Sequence, residues 1–382
     1  MYIQIELELS RVCNLKCLHC FSESGGIHEK DKPSLDEIDR LISKLKEFKD
    51  YVSSESFATY SFIISGGEPT FLGSDVILRI AEKLKESFGE NCRISLNTNL
   101  TNRKVFEKLM EENMITLAVS FDPVIRSLKC SFDFERKWLE NFMALDIAGK
   151  EIPVELTLTR YLIEFPLEEF VSRLRLKEIG LSPVLPMGRA KKYFDVIGLT
   201  PWEVSDCAIY ALKTLGRKIH ISSYQGLKEF AEVRKVYNIP YRVECWGDCW
   251  NRFIIKRDGT VEIGDRCFNY PVCGNIYKDT IHDIFNSPAR TLFMGFQLEK
   301  SSSFPCITCQ FNYFCMGGCT IWYFWKGGSY LDKECPGYKR VLEYVIEGKD
   351  YETQEYFVPK SDFMKEYSDR FFNTLEEVSY RC

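Results

Sequence analysis

Tyr2–Leu9 alternates apolar and polar residues as a half-buried strand does, and soon after it the chain reads Cys13-Asn14-Leu15-Lys16-Cys17-Leu18-His19-Cys20. This C-x3-C-x2-C run narrows what the chain can become more than any other feature. A structural zinc site closes its shell with four protein ligands, and one short loop here supplies three. Three thiolates can instead hold three irons of a four-iron cube, leaving the fourth open to a further ligand. From the cysteines alone, a zinc knuckle or a chance grouping are the competing readings.

Strand-like and helix-like segments alternate after this loop. Strands are expected at Tyr60–Ser65, Arg93–Thr98, Thr116–Ser120, Val154–Thr159 and Ser182–Leu185. Between them lie helices at Leu35–Phe48 (with Ser34 as its N-cap), Asp75–Phe88, Arg103–Glu112, Glu135–Ala148 and Leu167–Lys177. Six such units joined by short connections imply an α/β fold, a partial (β/α)6 TIM barrel over 1–200. Chemistry in such barrels sits at the C-terminal ends of the strands, where the three-cysteine loop falls. Trp202–Leu215 and Tyr224–Tyr237 read as a helical bridge over 201–244. From 245 to 340 the chain turns rich in cysteine and glycine, as in a domain folded around metal. The remainder, 341–382, reads as a helical tail with a polar surface. With 382 residues, 45% of them hydrophobic, the chain has ample material for a barrel and a second domain.

A net charge of −5 gives no general pull toward nucleic acid or acidic membranes. Met1–Val12 lacks the features of a signal peptide, and no run approaches the ~18 apolar residues of a spanning helix. Sixteen cysteines without an export signal indicate metal ligation in a reducing cytoplasm. The sequence contains no phosphate-binding P-loop, no His-Glu-x-x-His and only four histidines, which disfavours histidine-based acid–base chemistry.

Gly66-Gly67-Glu68-Pro69 stands directly after the second expected strand. Glycines there let backbone approach a ligand closely, and a carboxylate can meet an ammonium; the same residues also make an ordinary tight turn. Together, the three-cysteine loop and this motif resemble the radical S-adenosylmethionine (SAM) family. The resemblance implies a [4Fe-4S] cluster on Cys13, Cys17 and Cys20 whose open iron binds SAM, with Gly66, Gly67, Glu68 and Pro69 at the methionine moiety and His19 near the adenine. Asn97-Thr98-Asn99 resembles the family's third-strand signature, with Leu100 in place of its glycine, and Ser120-Phe121-Asp122 its fourth-strand Ser-x-Asp. Gly188-Arg189-Ala190 resembles the loop after the last barrel strand. Asn97, Asn99, Ser120 and Arg189 are therefore expected beside SAM.

Cys306-x2-Cys309-x5-Cys315-x3-Cys319, with Cys335 further on, resembles the SPASM domain of the same family, which holds two auxiliary [4Fe-4S] clusters. The resemblance implies a distal cluster on Cys306, Cys309, Cys315 and Cys335. Cys319 then joins upstream cysteines around the nearer one, and Cys245, Cys249 and Cys267 are the favoured set. Cys273 is left out because Gly274-Asn275-Ile276 after it resembles the turn that follows the ligand loop. The sequence departs from the pattern at Gly264, where a cysteine is usual. A pair of zinc sites satisfies the spacing equally well.

The implied chemistry is reductive cleavage of SAM to methionine and a 5′-deoxyadenosyl radical, which abstracts hydrogen from an unactivated position. Auxiliary clusters offer the second electron a destination, so the net reaction is expected to be oxidative. The first expectation is a peptide or protein maturase, forming a cross-link or related modification. It would draw electrons from a flavodoxin- or ferredoxin-like donor, with a separate leader-peptide-binding protein as a further partner. The alternatives are a dehydrogenase or epimerase of a sugar or amino compound, and a non-catalytic zinc scaffold. Cys130, after the fourth strand, is the expected hydrogen donor of an epimerase. Sulfatase maturases of this family carry an acidic residue after a nearer-cluster cysteine, whereas Phe268 follows Cys267 here.

Overall fold

The computed structural model describes residues 2–25, 32–53, 58–89, 92–128, 130–146, 151–228, 231–232, 251–264, 271–318, 335 and 338–379. The first half alternates strand and helix: β1 (Tyr2–Glu8), α1 (Leu35–Ser53), β2 (Thr59–Ser65), α2 (Ser74–Phe88), β3 (Arg93–Thr98), α3 (Arg103–Glu112), β4 (Thr116–Ser120), α4 (Phe134–Asp146), β5 (Val154–Leu158), α5 (Leu167–Arg173) and β6 (Glu178–Pro183). Then come α6 (Gly188–Ile197), α7 (Pro201–Thr214), β7 (His220–Ile221), β8 (Arg252–Lys256), β9 (Thr260–Ile263), β10 (Val272–Asn275), α8 (Pro288–Ser302) and α9 (Asp362–Ser379).

Local chemistry explains the helix starts. Ser34 Oγ accepts the Glu37 N–H at 3.2 Å while the Glu37 carboxylate accepts the Ser34 N–H at 2.6 Å, a reciprocal cap for α1. Thr200 and Glu203 do the same for α7. The strands bury alternate residues as their period requires. Ile3, Ile5 and Leu7 of β1 pack in one apolar cluster with Ile38, Leu41 and Leu45 of α1 and Ile77 and Ala81 of α2. The intervening strand positions, among them Gln4, Ser61, Ser95, Asn97, Ser120 and Thr157, give the opposite face of the sheet a polar lining.

Among the described residues one sheet runs in the order β10-β9-β8-β1-β2-β3-β4-β5-β6-β7. Neighbours from β8 through β1 to β7 are parallel, whereas β8–β9 and β9–β10 are antiparallel. The partial barrel expected from the βα repeats is present. Its first strand is flanked on the outer side by β8, paired from Gln4↔Arg252 to Glu8↔Lys256. The cysteine-rich segment thus enters the same sheet.

Two expectations shift. The sixth strand lies at Glu178–Pro183, earlier than Ser182–Leu185. The buried alternating pair is Ile179 and Leu181, in register with Val154 and Leu156 of β5, and Pro183 ends the pairing. The apolar Leu181–Leu185 run obscured that alternation. The tail is more deeply engaged than a polar-surfaced helix: α9 buries Met364, Tyr367, Phe371, Phe372, Leu375 and Val378. Phe371 lies 5.4 Å from Phe121 and 5.4 Å from Phe165 between ring centroids. Burying an aromatic or aliphatic side chain this completely contributes about 1.5–3 kcal/mol, so α9 is part of the barrel's wall. Cys245, Cys249, Cys267 and Cys319 lie outside the described residues, as does half of the expected 224–237 helix. Among the described residues no helix is long and apolar enough to cross a membrane.

Candidate functional site

The three-cysteine loop is held by the C-terminal ends of four barrel strands. After β2, the Gly67 N–H donates to Ser10 O at 2.9 Å and the Glu68 N–H to Val12 O at 2.8 Å. A Cβ at Gly66, whose φ is +134°, would stand 2.0 Å from Ser10 O, and one at Gly67 2.2 Å from Val12 O. These glycines are where the cysteine loop lies down on the end of β2. Pro69 opens the buried turn that follows.

Glu68 turns inward from there. Its carboxylate accepts from Thr70 N (3.1 Å), Thr70 Oγ1 (2.6 Å), Thr98 Oγ1 (2.5 Å) and Asn99 N (2.7 Å). Both oxygens stitch β2 to β3. Asn99 in turn donates to Asn14 Oδ1 at 3.0 Å, and Asn14 donates to Thr101 Oγ1 at 2.9 Å, fixing the loop against β3.

Beyond β4, His19 Nε2 sits 3.3 Å from Asp122 Oδ2, and the Leu18 N–H donates to Ile125 O at 3.4 Å. Beyond β6, the Arg189 N–H donates to Cys20 O at 2.9 Å, and its guanidinium donates to Cys17 O at 2.9 Å and Ser24 O at 2.8 Å. Gly188, at φ +52°, allows this approach, since a Cβ there would meet Phe21 O at 2.1 Å. Glu68, Asn99, Arg189 and His19, all expected at a cofactor, are thus tied to the cysteine loop or the strand ends under it. Asn97 and Ser120 differ: they stand on neighbouring strands with Ser120 Oγ donating to Asn97 Oδ1 at 2.7 Å, on the polar face.

The electrostatics fit a metal group. Cys13, Cys17 and Cys20 are unbridged. Burial pushes the Cys13 and Cys17 thiols each up to about 12, and their proximity to Cys20 pushes the same way. Desolvated neighbouring thiols stay protonated until a cation compensates their charge. Among the described residues no three His, Cys, Asp or Glu side chains gather around a single-ion position. His19 Nδ1 is buried with no hydrogen-bond partner, so the loop has an unfilled polar valence beside its last cysteine.

Arg126, which the sequence reading missed, is the counter-charge beside this loop. Its guanidinium donates to Asp122 Oδ2 at 2.6 Å. Burial opposes its charge, but Asp122 holds the guanidinium protonated. Burial likewise opposes ionisation of Asp122, yet Arg126, then His19, hold its carboxyl well below the usual range. A signal existed in the sequence: an Asp and an Arg four positions apart just after a strand end. Cys130 lies beside this pair, its thiol donating to Arg126 O at 3.3 Å and pushed up to about 11 by burial, then by Glu135.

A second cysteine set surrounds a cavity of about 270 Å³ lined by Cys306, Cys309, Cys315 and Cys335 with Phe304, Phe311 and Lys339. Burial, then Cys335 and Cys309, push the Cys306 thiol up to about 11. Lys300, fully buried, donates to Gly318 O and lies close enough to Cys306 and Cys315 to favour their ionised forms. Nothing in its helix pattern announced that role. Upstream, Gly264 has φ +90°, and a Cβ there would meet the Phe293 ring at 2.9 Å, a physical reason for the missing cysteine. Cys273 is buried in the apolar cluster beneath the sheet.

The radical SAM superfamily profile matches residues 7–126, the span from β1 through the Asp122–Arg126 pair. Residues 7–126 carry a radical SAM domain. The chain is 30% identical over 139 residues to an Fe-coproporphyrin III synthase from Methanosarcina barkeri, covering 35% of this chain and only 32% of that relative. The chain is 24% identical over 367 residues to a cysteine-type anaerobic sulfatase-maturating enzyme from Clostridium perfringens, covering 87% of this chain and 93% of the relative. A solved structure of native anSMEcpe with bound AdoMet and Cp18Cys peptide superposes with a TM-score of 0.66 at 20% identity, covering 99% of this chain and all of that one, which establishes a shared fold.

Proposed function

We propose that this radical SAM enzyme oxidatively modifies a residue of a peptide or protein. The observation that carries the reading is the convergence of four strand ends on the Cys13–Cys20 loop, which leaves Asn97 and Ser120 on the polar face nearby. Cys13, Cys17 and Cys20 would hold a four-iron cluster that, when bound with SAM and reduced, supplies the hydrogen-abstracting radical. Backbone at Gly66–Pro69 shapes the cofactor's floor, since the Glu68 carboxylate is already engaged. His19 offers its unpartnered Nδ1 on the other side, and Arg189 and Asn99 keep the loop rigid beneath.

The cavity among Cys306, Cys309, Cys315 and Cys335 would hold an auxiliary cluster, with Lys300 lowering the cost of its negative charge. Cys319 with Cys245, Cys249 and Cys267 would hold the nearer one, making three clusters in all. A flavodoxin- or ferredoxin-like donor in the cytoplasm would supply the reducing electron. Support for a peptide substrate comes from the relatives: one is named for maturing sulfatases, and the superposed anSMEcpe structure contains a peptide. Sulfatase-type conversion of a cysteine thiol to an aldehyde is the second reading, favoured by the 24% identity over most of the chain. Phe268 after Cys267 weighs against it.

The test is anaerobic reconstitution with iron and sulfide, then incubation with dithionite and SAM. Release of 5′-deoxyadenosine is expected. Full iron loading without its release would sink the proposal. Mass spectrometry of candidate peptides, including a cysteine-containing sulfatase-type sequence, then separates the two readings by the product formed.

A further inference from the structure

We infer that Tyr367, on the last helix, is a positioning residue for the cofactor-binding loop, acting through the turn that follows β4; this rests on the function proposed above. Val124 in that turn has φ +67°, a left-handed conformation that a β-branched residue rarely adopts. Its N–H donates to Tyr367 Oη at 3.1 Å, and Tyr367 donates its own proton to Glu135 Oε1 at 2.8 Å, in the first turn of α4. The phenol is buried, with the Arg370 guanidinium 5.4 Å from its ring centroid.

The turn is otherwise tightly wound. Val124 O accepts from Ser127 N and Leu128 N, both at 3.1 Å, and the Ile125 N–H donates to Pro123 O at 2.7 Å. Each functional contact of β4 with the cysteine loop leaves from this turn or its edge: Ile125 O receives the Leu18 N–H, Asp122 meets His19, and Arg126 pairs with Asp122. The turn's own bonds engage the Val124 carbonyl but not its amide, so without Tyr367 the strained residue keeps a buried, unpaired N–H. Relaxing it to negative φ would shift the Ile125 carbonyl from Leu18 and the Asp122–Arg126 pair from His19. A hydroxyl near the carboxyl end thereby fixes the chemistry near the amino end.

Tyr367→Phe in the full chain tests this, with Leu375→Ala as a variant that loosens the same helix without touching the turn. In the metal-free chain, hydrogen exchange of peptides spanning 122–128 and 13–25 is expected to rise about tenfold more in Tyr367→Phe than in Leu375→Ala. In the reconstituted, reduced protein, the SAM concentration needed to shift the cluster's electron paramagnetic resonance signal is expected to rise about tenfold, with little change in iron content. Exchange and SAM response at wild-type levels in Tyr367→Phe, or equal changes in both variants, would overturn the inference. A wild-type protein whose signal ignores SAM would instead overturn the functional reading, and the exchange measurement on the metal-free chain would still decide the role of Tyr367.

Discussion

The two cysteine sets are built on different principles. Around Cys13–Cys20, the loop's own backbone is consumed by the barrel: Ser10 and Val12 give their carbonyls to the turn after β2, Cys17, Cys20 and Ser24 give theirs to Arg189 at the start of α6, and Leu18 gives its amide to the turn after β4. Around Cys306–Cys335 the described backbone consists of single turns at Cys306–Thr308 and Asn312–Cys315 bordering an open cavity. The first loop is fixed by hydrogen bonds to the ends of the sheet, whereas the described part of the second set is held by short turns, the kind of frame that ligation can order further. On the function proposed above, that division would suit a cluster that presents an open iron at a fixed place and auxiliary clusters that only pass electrons.

Several variants would break or sharpen this contrast. The largest effect is expected from Cys17→Ala, which should reduce 5′-deoxyadenosine release to background. Cys315→Ala should keep that release while abolishing the modified product, as chromatography and mass spectrometry on the same incubation would read. Equal loss in both variants would erase the functional distinction between the sites.

Next comes Asp122→Asn, which leaves the Arg126 guanidinium, 13% exposed, without its fully buried carboxylate and should cost about 3 kcal/mol in denaturant unfolding of the metal-free chain. The pH dependence has a definite sign. Because the folded-state pKa of Asp122 is depressed, its contribution is complete above the ordinary carboxylate value and disappears only as pH falls below about 4 toward the folded value. The wild-type acid limb should therefore flatten in the variant.

Gly67→Ala is expected to cost about 1–3 kcal/mol, since the new methyl meets the Val12 carbonyl at 2.2 Å and the loop must lift from β2. A melting temperature equal to wild type would show that the loop is looser than its contacts indicate. The smallest effect belongs to Gly295→Ala on α8, the helix packed on the Cys306–Thr308 turn, where a Cβ meets nothing within 4 Å. A gain of about 0.5–1 kcal/mol is expected from helix propensity alone. Tight against slack is the same contrast at the scale of one methyl group.

Much of the first site was legible because its signals are local. Cysteine spacing, paired glycines after a strand and the 2-and-3.6 alternation each lie within a few residues, and β3, α3 and β4 stand where their periodicity put them. Glu68 was legible as a residue but not in its direction: a carboxylate after two glycines suits an external ammonium as well as the inward donors Thr70, Thr98 and Asn99. Arg126 carried only a weak i, i+4 cue, and Lys300 none.

The sequence by itself determined the periodicity of the barrel, the number and spacing of thiols, and the places where a side chain cannot fit. Tertiary structure alone decided that β8 lies beside β1, that Tyr367 reaches Val124 from 243 residues away, and that His19 meets the Asp122–Arg126 pair. The reason is range. A strand, a cap or a ligand run is selected by neighbours in the chain and leaves a pattern there. A hydroxyl that satisfies a distant amide leaves none, because its local role on α9 would be filled equally well by phenylalanine.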